Sequence, residues 1–380
     1  MKILAVDIGT GTQDIFLYDS HLDLENGYKL VLPSPTMIVR DRLRQATHQR
    51  EPILLAGVTM GGGPSSWAVE DHLKAGLPVY AVPAAARTLN DDLEKIRDMG
   101  IILVSEDEAR RLPENVRRIE LSDFNFTLIS HTFQQFDVSL DNLAAVAVAV
   151  FDHGDSPKGI SDRRFRFDYL DRRIREENRL SAFAYRRADI PHSMTRLQAV
   201  AESAGQLPVP LVVMDTAPAA VLGATLDALV ASQLSTIVVN IGNFHTLAFR
   251  LGPAGIEGVF EHHTGEIDRQ RLESLLYALA DGTLKNEDVF NQQGHGALVY
   301  SHEPFKLDSG GINLIVTGPR RSLLKESALR PYFAAPFGDM MITGCFGLLA
   351  ATADVMPELG EAIRNSLHGL SGNIAPWDEE

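Results

Sequence analysis

Residues Asp7–Thr12 read DIGTGT and lie between two short apolar runs, Lys2–Val6 and Asp14–Tyr18. Two such runs joined by a glycine–threonine loop predict a β-hairpin. Glycines let the backbone approach a ligand, and exposed amides and hydroxyls can donate hydrogen bonds to phosphate. A carboxylate at the end of the first strand, here Asp7, can hold a hydrated magnesium ion. The hairpin therefore predicts a phosphate-binding loop, although a tight glycine turn with a solvated aspartate has the same pattern.

Strands and helices alternate outward from this hairpin, which favours an α/β sheet. The predicted strands are residues 52–58, 78–82, 101–104, 143–151, 209–214, 237–240, 246–251 and 313–316. The predicted helices are residues 65–74, 89–99, 194–204, 266–279 and 344–354. The charged and poorly patterned residues 156–187 are predicted to form an inserted, partly exposed lobe.

The length and the net charge of the chain limit the classes of protein to which it can belong. A chain of 380 residues favours two or three domains, and its 45% hydrophobic content can fill a sizeable core. The formal net charge of −15 argues against nucleic acid as the main partner, because phosphate neutralisation needs a basic surface. The longest apolar run, residues 143–151, is too short to span a membrane. The N-terminus lacks the apolar core of a signal peptide, so we expect a cytoplasmic protein without a membrane partner.

Four segments follow DIGTGT along the chain: Met214–Ala220, Val238–Asn243, Leu314–Arg320 and Gly344–Ala351. In this order they resemble the first connecting helix, the second phosphate hairpin, the adenosine motif and the second connecting helix of the actin-like ATPase superfamily. That superfamily includes Hsp70, actin and sugar kinases, and DIGTGT is similar to its first phosphate motif. The resemblance implies a two-domain α/β, ribonuclease H-like fold with an ATP cleft between the domains.

The same resemblance implies domain boundaries. Domain I is expected over residues 1–230, with insertions at about 59–110 and 155–190. Domain II is expected over residues 231–340, and a C-terminal helix region, 341–380, is expected to return to domain I.

Roles for individual residues follow from the resemblance as well. Asp7 would orient Mg²⁺ through its water shell, and Asp215 would act as the base or position a water molecule. The residues implied to contact ATP are Gly9, Thr10, Gly11, Thr12, Asn240, Gly242, Asn243, Gly318 and Arg320. Arg320 could equally be a surface charge. The superfamily usually has aspartate where this chain has Asn240, and the missing charge favours ATP binding over fast hydrolysis.

The DIGTGT hairpin, Thr59–Pro64, Asp152–Gly154 and Glu261–Gly265 also resemble segments of a prokaryotic family labelled as pyruvate formate-lyase-activating enzymes. Radical activation of that kind needs a cluster site with three cysteines. The chain has a single cysteine, Cys345, so we reject glycyl-radical activation. Cys345 lies in an apolar run and is expected to be a small buried hydrophobe.

Histidines beside acids or glycines indicate a second functional region. His153, His262 and His295, with His263 beside them, are candidates for contact with a substrate. The first three could also bind a transition metal, because imidazole and carboxylate suit zinc, iron, nickel or manganese. No helical H-x-x-x-H pair is present, so the alternative is loop histidines that bond to the backbone.

A second glycine-rich loop could bring the backbone close to an acceptor substrate or a second phosphate. It consists of Gly61, Gly62 and Gly63, whose missing Cβ atoms leave room for a ligand. The alternative is a flexible turn between a strand and a helix.

Three functions are consistent with these patterns. The first is an ATP- and Mg²⁺-dependent phosphotransferase or ATPase acting on a small metabolite. The second is a slow ATPase switch that acts on a partner protein. The third is a metal- or ligand-binding protein that keeps only the fold. We favour the first narrowly, and analogy with superfamily members allows a homodimer.

Overall fold

The computed structural model describes residues 1–307, 312–371 and Trp377. Its strands are β1 (Lys2–Ile8), β2 (Thr12–Asp19), β3 (Tyr28–Pro33), β4 (Ile53–Gly57), β5 (Val79–Ala81), β6 (Ile102–Leu103), β7 (Arg117–Leu121), β8 (Leu143–Val150), β9 (Ala184–Arg186), β10 (Leu211–Asp215), β11 (Thr236–Ile241), β12 (His245–Gly252), β13 (Gly255–His263), β14 (Gly296–Val299), β15 (Leu314–Thr317) and β16 (Tyr332–Phe333). Its helices are α1 (Pro35–Gln49), α2 (Pro64–Lys74), α3 (Pro83–Ala86), α4 (Leu93–Asp98), α5 (Glu106–Arg110), α6 (Phe126–Gln134), α7 (Asp162–Glu176), α8 (Thr195–Ser203), α9 (Thr216–Ala224), α10 (Ala228–Ala231), α11 (Arg269–Ala280), α12 (Asn286–Phe290), α13 (Thr343–Val355) and α14 (Pro357–Leu367).

Two sheets of the molecule repeat one arrangement of strands. The first has the order β3-β2-β1-β8-β10-β9, and the second has the order β14-β13-β12-β11-β15-β16. In each, a central strand pairs antiparallel with the strand that follows it and parallel with a strand from later in the chain. On one side of each sheet a further strand pairs antiparallel, β3 with β2 and β13 with β12. On the other side a further strand pairs parallel, β10 with β8 and β16 with β15. This duplicated arrangement is the actin-like ATPase fold, and the predicted fold class is confirmed.

Helices α9 and α13 cross at close range beside the two sheets. A Cβ atom at Gly347 would collide with the carbonyl oxygen of Ala219, and one at Gly223 would collide with the carbonyl oxygen of Thr343. The glycines therefore let the two backbones touch where ordinary side chains would hold them apart.

A third sheet has the order β6-β5-β4-β7 and is parallel throughout. It has its own hydrophobic core, to which α1, α2 and α3 contribute buried side chains such as Leu43, Val69 and Ala85. The boundaries proposed for domains I and II stay a prediction. Residues 372–376 and 378–380 of the expected C-terminal region lie outside the described residues.

Residues 156–187 are partly exposed, as predicted, and their assignment as an insertion stays a prediction. Helix α7 occupies just under half of this stretch, and its Phe167, Leu170 and Ile174 are buried in the largest hydrophobic cluster. The apolar pattern is hard to recognise in the sequence because Arg166, a fully buried arginine, takes one of the core-facing positions.

Cys345 is fully buried in α13, as expected from its apolar surroundings. Among the described residues, none of the helices combines the length and apolar character that crossing a membrane requires.

Candidate functional site

A cavity of about 700 Å³ lies between the two duplicated sheets and extends to the third. The size suits a small-molecule ligand. Its walls come from the first hairpin, residues 59–63, residues 87–92, residues 151–160, the loop that joins β11 to β12, residues 317–319 and residues 340–344.

The two glycine hairpins have the same hydrogen-bonded turn. The Gly9 amide donates to the Thr12 carbonyl oxygen at 2.9 Å, and the Gly242 amide donates to the His245 carbonyl oxygen at 2.9 Å. Asp7 and Asn240 therefore hold equivalent positions, each two residues before the glycine of its hairpin.

The hairpins face each other across the cavity. A Cβ atom at Gly11 would collide with the side chain of Asn243, so the tips of the two hairpins are in contact. Thr10 and Thr12 line the cavity beside them, and the Thr10 carbonyl oxygen accepts a 2.6 Å hydrogen bond from Ser34 Oγ. The structure thus brings together the residues of both predicted phosphate motifs.

Asp7 lies at the cavity wall, and neighbouring residues closely surround its carboxylate. Thr216 Oγ1 donates a 2.5 Å hydrogen bond to Asp7 Oδ1, and a Cβ atom at Gly344 would collide with Asp7 Oδ2. Burial raises the pKa of Asp7 to about 6, against the opposing effect of the Thr216 hydrogen bond. The residues of α9 and α13 thus hold the carboxylate in place.

Asp14 is a second buried carboxylate at this wall, and the sequence analysis did not select it. It is directly opposite Asp7 in the β1–β2 pair, so the two side chains share a face of the sheet. Its Oδ1 has no hydrogen-bond partner, and burial, then the charge of Asp7, raises its pKa to about 8. The spacing of seven residues across a predicted hairpin could have identified it.

The raised pKa of Asp14 predicts a pH-dependent stability. A carboxyl group whose pKa is higher in the folded state stabilises that state at low pH, and the stabilisation is lost as the pH rises through the folded pKa. We expect the free energy of unfolding of the ligand-free protein to fall between pH 7 and pH 9, and to fall less in Asp14→Asn. Urea unfolding at the two pH values measures the difference. An equal fall in both proteins would contradict the prediction.

Asp215 is not at the cavity wall, although it was predicted to act as the base or to position a water molecule. Its Oδ2 accepts a 2.6 Å hydrogen bond from Arg166 Nη1, and its Oδ1 accepts the Ala217 amide at the start of α9. Both oxygens are engaged, and the side chain is 3% exposed. These contacts place Asp215 to hold the start of α9 and the Arg166 side chain. They give no structural support to a role as the base.

In the segment that resembles the adenosine motif, Leu314–Arg320, some residues line the cavity and others are exposed at the surface. Gly318 and Pro319 line the cavity, and Gly318 has a positive φ of 96° and lies against Asn240 Oδ1. That amide oxygen is buried and has no hydrogen-bond partner. Arg320 is exposed and absent from the cavity wall, which agrees with a surface charge.

The glycine loop at the other end of the cavity is fixed by an ion pair. The Gly61 amide donates to both carboxylate oxygens of Asp123, and Arg196 binds the same carboxylate through Nε at 2.6 Å and Nη2 at 3.0 Å. A Cβ atom at Gly61 would lie within 2.5 Å of the Arg196 guanidinium. Gly61, Gly62 and Gly63 all line the cavity, so the backbone is accessible to a ligand there.

Four histidines meet between the duplicated sheets. His153 follows β8, His245 begins β12, His263 ends β13 and His295 precedes β14. His153 Nε2 lies 2.9 Å from His295 Nε2, and His245 is directly opposite His263 in the β12–β13 pair. Burial lowers the pKa of His153 to about 3, and it lowers the pKa of the other three as well.

His262, one of the predicted ligands, does not join this group. Side chains alternate between the two faces of a strand, so His262 points away from the side of β13 that carries Glu261 and His263. Its Nδ1 is 3.0 Å from the carbonyl oxygen of His263. Of the predicted His153, His262 and His295, the structure groups the first and third with His245, and one ring nitrogen from each of these three lies within 4.8 Å of the others. His245 was missed, although it stands at the end of the second predicted hairpin.

A buried ion-pair network supports the histidines. Arg166 Nε donates to Glu261 Oε2 at 2.9 Å, and Glu261 Oε1 lies 3.3 Å from His295 Nδ1. Burial raises the pKa of Glu261 to about 7, opposed by the charge of Arg166. The Phe151 ring stacks on the His245 ring, with 4.1 Å between the two ring centres. The Arg166 guanidinium carbon lies 3.9 Å from the centre of the Phe151 ring. Residues of α7, β13 and the segment after β8 thus hold the histidines in place.

Residues 60–323, more than half of the chain, match the protein family described as "Putative pyruvate format-lyase activating enzyme (DUF1786)". No curated protein matches the chain in sequence.

Solved structures are similar only at a distance. The ethanolamine utilization protein EutJ from Carboxydothermus hydrogenoformans has a TM-score of 0.32 and 12% identity, and the likeness covers 92% of this chain and 89% of that one. A ROK hexokinase from Thermus thermophilus has a TM-score of 0.24 and 12% identity, covering 98% and 91%. A ROK family transcriptional regulator, described as a homolog of the E. coli MLC protein, has a TM-score of 0.25 and 10% identity. That likeness covers 67% of this chain and only 37% of the regulator. The duplicated strand order, rather than these likenesses, establishes the fold.

Proposed function

The chain belongs to the family described as "Putative pyruvate format-lyase activating enzyme (DUF1786)", and we propose that its two facing hairpins bind ATP with Mg²⁺ for phosphoryl transfer to a small acceptor. The observation that carries this proposal is the pair of matching glycine turns, one from each duplicated sheet, in contact across one cavity.

The residues at the cavity wall fit a nucleotide with its metal. Asp7 and Asp14 are neighbouring buried carboxylates, and Asp14 Oδ1 and Asn240 Oδ1 are polar atoms without hydrogen-bond partners. Carboxylate and amide oxygens, with water, are the ligands that Mg²⁺ prefers. Bound there, Mg²⁺ would neutralise developing phosphate charge. The absence of a Cβ at Gly344 leaves room for Asp7 Oδ2 at this wall.

The protein's own residues would position the reacting groups. The amides and hydroxyls of Thr10 and Thr12 can donate hydrogen bonds to phosphate oxygens from one hairpin, and the Asn243 amide can do so from the other. Phosphoryl transfer depends chiefly on such positioning and on charge stabilisation. Asn240 supplies no negative charge where Asp7 does in the first hairpin, which favours slow turnover.

The far end of the cavity suits an acceptor. Its wall includes the glycine loop Gly61–Gly63, His153 and Asp91. Burial, then the charges of Asp155 and Asp162, raises the pKa of Asp91 to about 6. A carboxylate with a pKa near the working pH is suited to general-base catalysis. We therefore propose Asp91, in place of Asp215, as the group that accepts a proton from the acceptor.

The activity in the family's description is not part of this proposal. Radical activation of that kind needs a cluster bound by several cysteine thiolates. Cys345 is the single cysteine of the chain, and it is fully buried against the carbonyl oxygens of Ala5 and Asp14.

ATP with Mg²⁺ is expected to raise the melting temperature of the protein, and Asp7→Asn is expected to abolish most of the rise. A ligand that binds only the folded state at a hundredfold excess over its Kd stabilises that state by about 2.7 kcal/mol. Differential scanning fluorimetry with and without the nucleotide measures the effect. The matched control is Asp168→Asn, since that carboxylate is 61% exposed on α7 and outside the cavity wall.

No rise at millimolar ATP, or an equal rise in wild type and Asp7→Asn, would contradict the proposed nucleotide site. If the rise is present, a screen of small metabolites for ADP release separates two functions. ADP release that depends on one metabolite supports a phosphotransferase. Slow release that no metabolite changes supports the ATPase switch, which Asn240 favours.

A further inference from the structure

We propose that His153, His245 and His295 form a binding site for a divalent transition-metal ion such as Zn²⁺, separate from the proposed Mg²⁺ position beside Asp7. The nitrogens that the three rings offer lie within 4.8 Å of one another. His153 and His245 line the cavity, and His295 lies behind them with 1% of its side chain exposed. The site therefore forms part of the cavity wall.

The spacing of the rings suits a small cation. Imidazole nitrogens bound to tetrahedral zinc at ~2.0–2.1 Å lie about 3.3 Å apart. His153 Nε2 and His295 Nε2 are 2.9 Å apart, so a small separation of the two rings would admit the ion. Three histidines with a fourth position open to a ligand are a known zinc arrangement.

Two ring nitrogens of the cluster, His245 Nε2 and His295 Nδ1, are buried and have no hydrogen bond. A buried polar atom without a hydrogen bond lowers the free energy of unfolding by roughly 1–3 kcal/mol. Phe151 stacks on the His245 ring at 4.1 Å, with an angle of 14° between the two planes, and so restricts its orientation. A metal ion would satisfy His245 Nε2 where no protein atom does.

The surroundings of His295 match those of a metal ligand. Its Nδ1 lies 3.3 Å from Glu261 Oε1, and neither atom has a hydrogen bond. Metal-bound histidines commonly direct their second nitrogen to a carboxylate, which fixes the tautomer and orients the ring. A proton on Nδ1 would leave Nε2 as the ligand atom, on the side of His153.

The two arginines beside the cluster are each paired with acids. Arg166 is positive, and its two partners, Asp215 and Glu261, are acids. Together the three side chains carry a formal charge of −1 when both acids are ionised. Arg196, the next arginine, is paired with Asp123, so its charge is compensated as well.

Zinc binding to the chelated full-length protein tests the site without any nucleotide. Zn²⁺ is titrated against a competing chromogenic chelator, and Co²⁺ is used as a spectroscopic probe whose visible absorption reports its coordination. We expect one equivalent of tightly bound metal in the wild type. His245→Gln and His295→Gln should each weaken zinc binding at least a hundredfold, and Glu261→Gln should weaken it 10–100-fold.

His262→Gln is the matched control, because this histidine neighbours Glu261 and His263 on β13, is equally buried and points away from the cluster. It should bind zinc as the wild type does. His153→Gln covers the case in which the fully buried His295 variant fails to fold, since His153 lies at the cavity wall. Asp7→Asn should also keep zinc binding, which separates this site from the proposed nucleotide site.

Three results would overturn the proposal. The first is a wild-type protein that binds less than one equivalent of zinc at micromolar concentration. The second is zinc binding that His153→Gln leaves unchanged while that variant stays folded. The third is an equal loss of zinc binding in His262→Gln or Asp7→Asn.

Discussion

Replacing Arg166 with methionine is expected to lower the free energy of unfolding by about 3–5 kcal/mol, the usual cost of removing one partner of a buried ion pair. The guanidinium is fully buried and binds both Asp215 and Glu261, at 2.6 and 2.9 Å. Its loss would leave two carboxylates in the core without a counter-ion. Urea unfolding at pH 7.5 measures the change.

The matched control is Arg164→Met on the same helix. Arg164 is 72% exposed and lies 3.9 Å from Asp168, an exposed pair that contributes at most about 1 kcal/mol. The double variant Arg166→Met with Glu261→Gln should be more stable than Arg166→Met alone, because one of the two uncompensated charges is gone. Similar losses in Arg166→Met and Arg164→Met would show that the buried pair does not stabilise the fold.

The pH dependence of the Arg166→Met variant has a predictable sign. Without the guanidinium, the Glu261 carboxyl group should have a higher pKa in the folded state, because the charge of Arg166 no longer opposes the effect of burial. Such a group stabilises the folded state only while it is protonated. The deficit of Arg166→Met relative to wild type should therefore shrink as the pH is lowered from 8 to 6.

Replacing Gly347 with alanine is expected to lower the free energy of unfolding by about 3 kcal/mol and to weaken ATP binding. At an ordinary helical position, the same change stabilises a helix by up to about 1 kcal/mol. Here the added Cβ would collide with the Ala219 carbonyl oxygen and the Gly223 amide, both of which are main-chain atoms. One of the two helices must then move.

That movement would reach the proposed nucleotide site. Helix α9 begins at Thr216, which binds Asp7, and α13 carries Gly344, which lies against the same carboxylate. Gly265→Ala is the control, since nothing lies within 4 Å of the Cβ it would add. Thermal unfolding and nucleotide titration should show a loss in Gly347→Ala only. Wild-type stability in Gly347→Ala would mean that the helices do not need this close crossing.

The parts of the fold that sequence could predict are those with a local pattern. The first hairpin, the second hairpin and the connecting helices, which are rich in small residues, each have a signature within a few residues, and their order along the chain indicated the duplicated fold. Helix α7 was missed because its core-facing positions include Arg166. A charged residue is expected to be exposed unless its partners are known, and those partners lie 49 and 95 residues away.

The sequence by itself determined the order of the phosphate and connecting motifs, the place of Asp7 at the end of the first strand, and the exclusion of a cysteine-bound cluster. Only the tertiary structure decided which side chains meet. It brings His153 and His295 together across 142 residues, selects His245 over His262, and engages Asp215 with Arg166. The physical reason is that local conformation depends on neighbouring residues, whereas a site forms where separate strand ends converge. The face on which each side chain emerges depends on strand register, and register is settled only when the sheets pack.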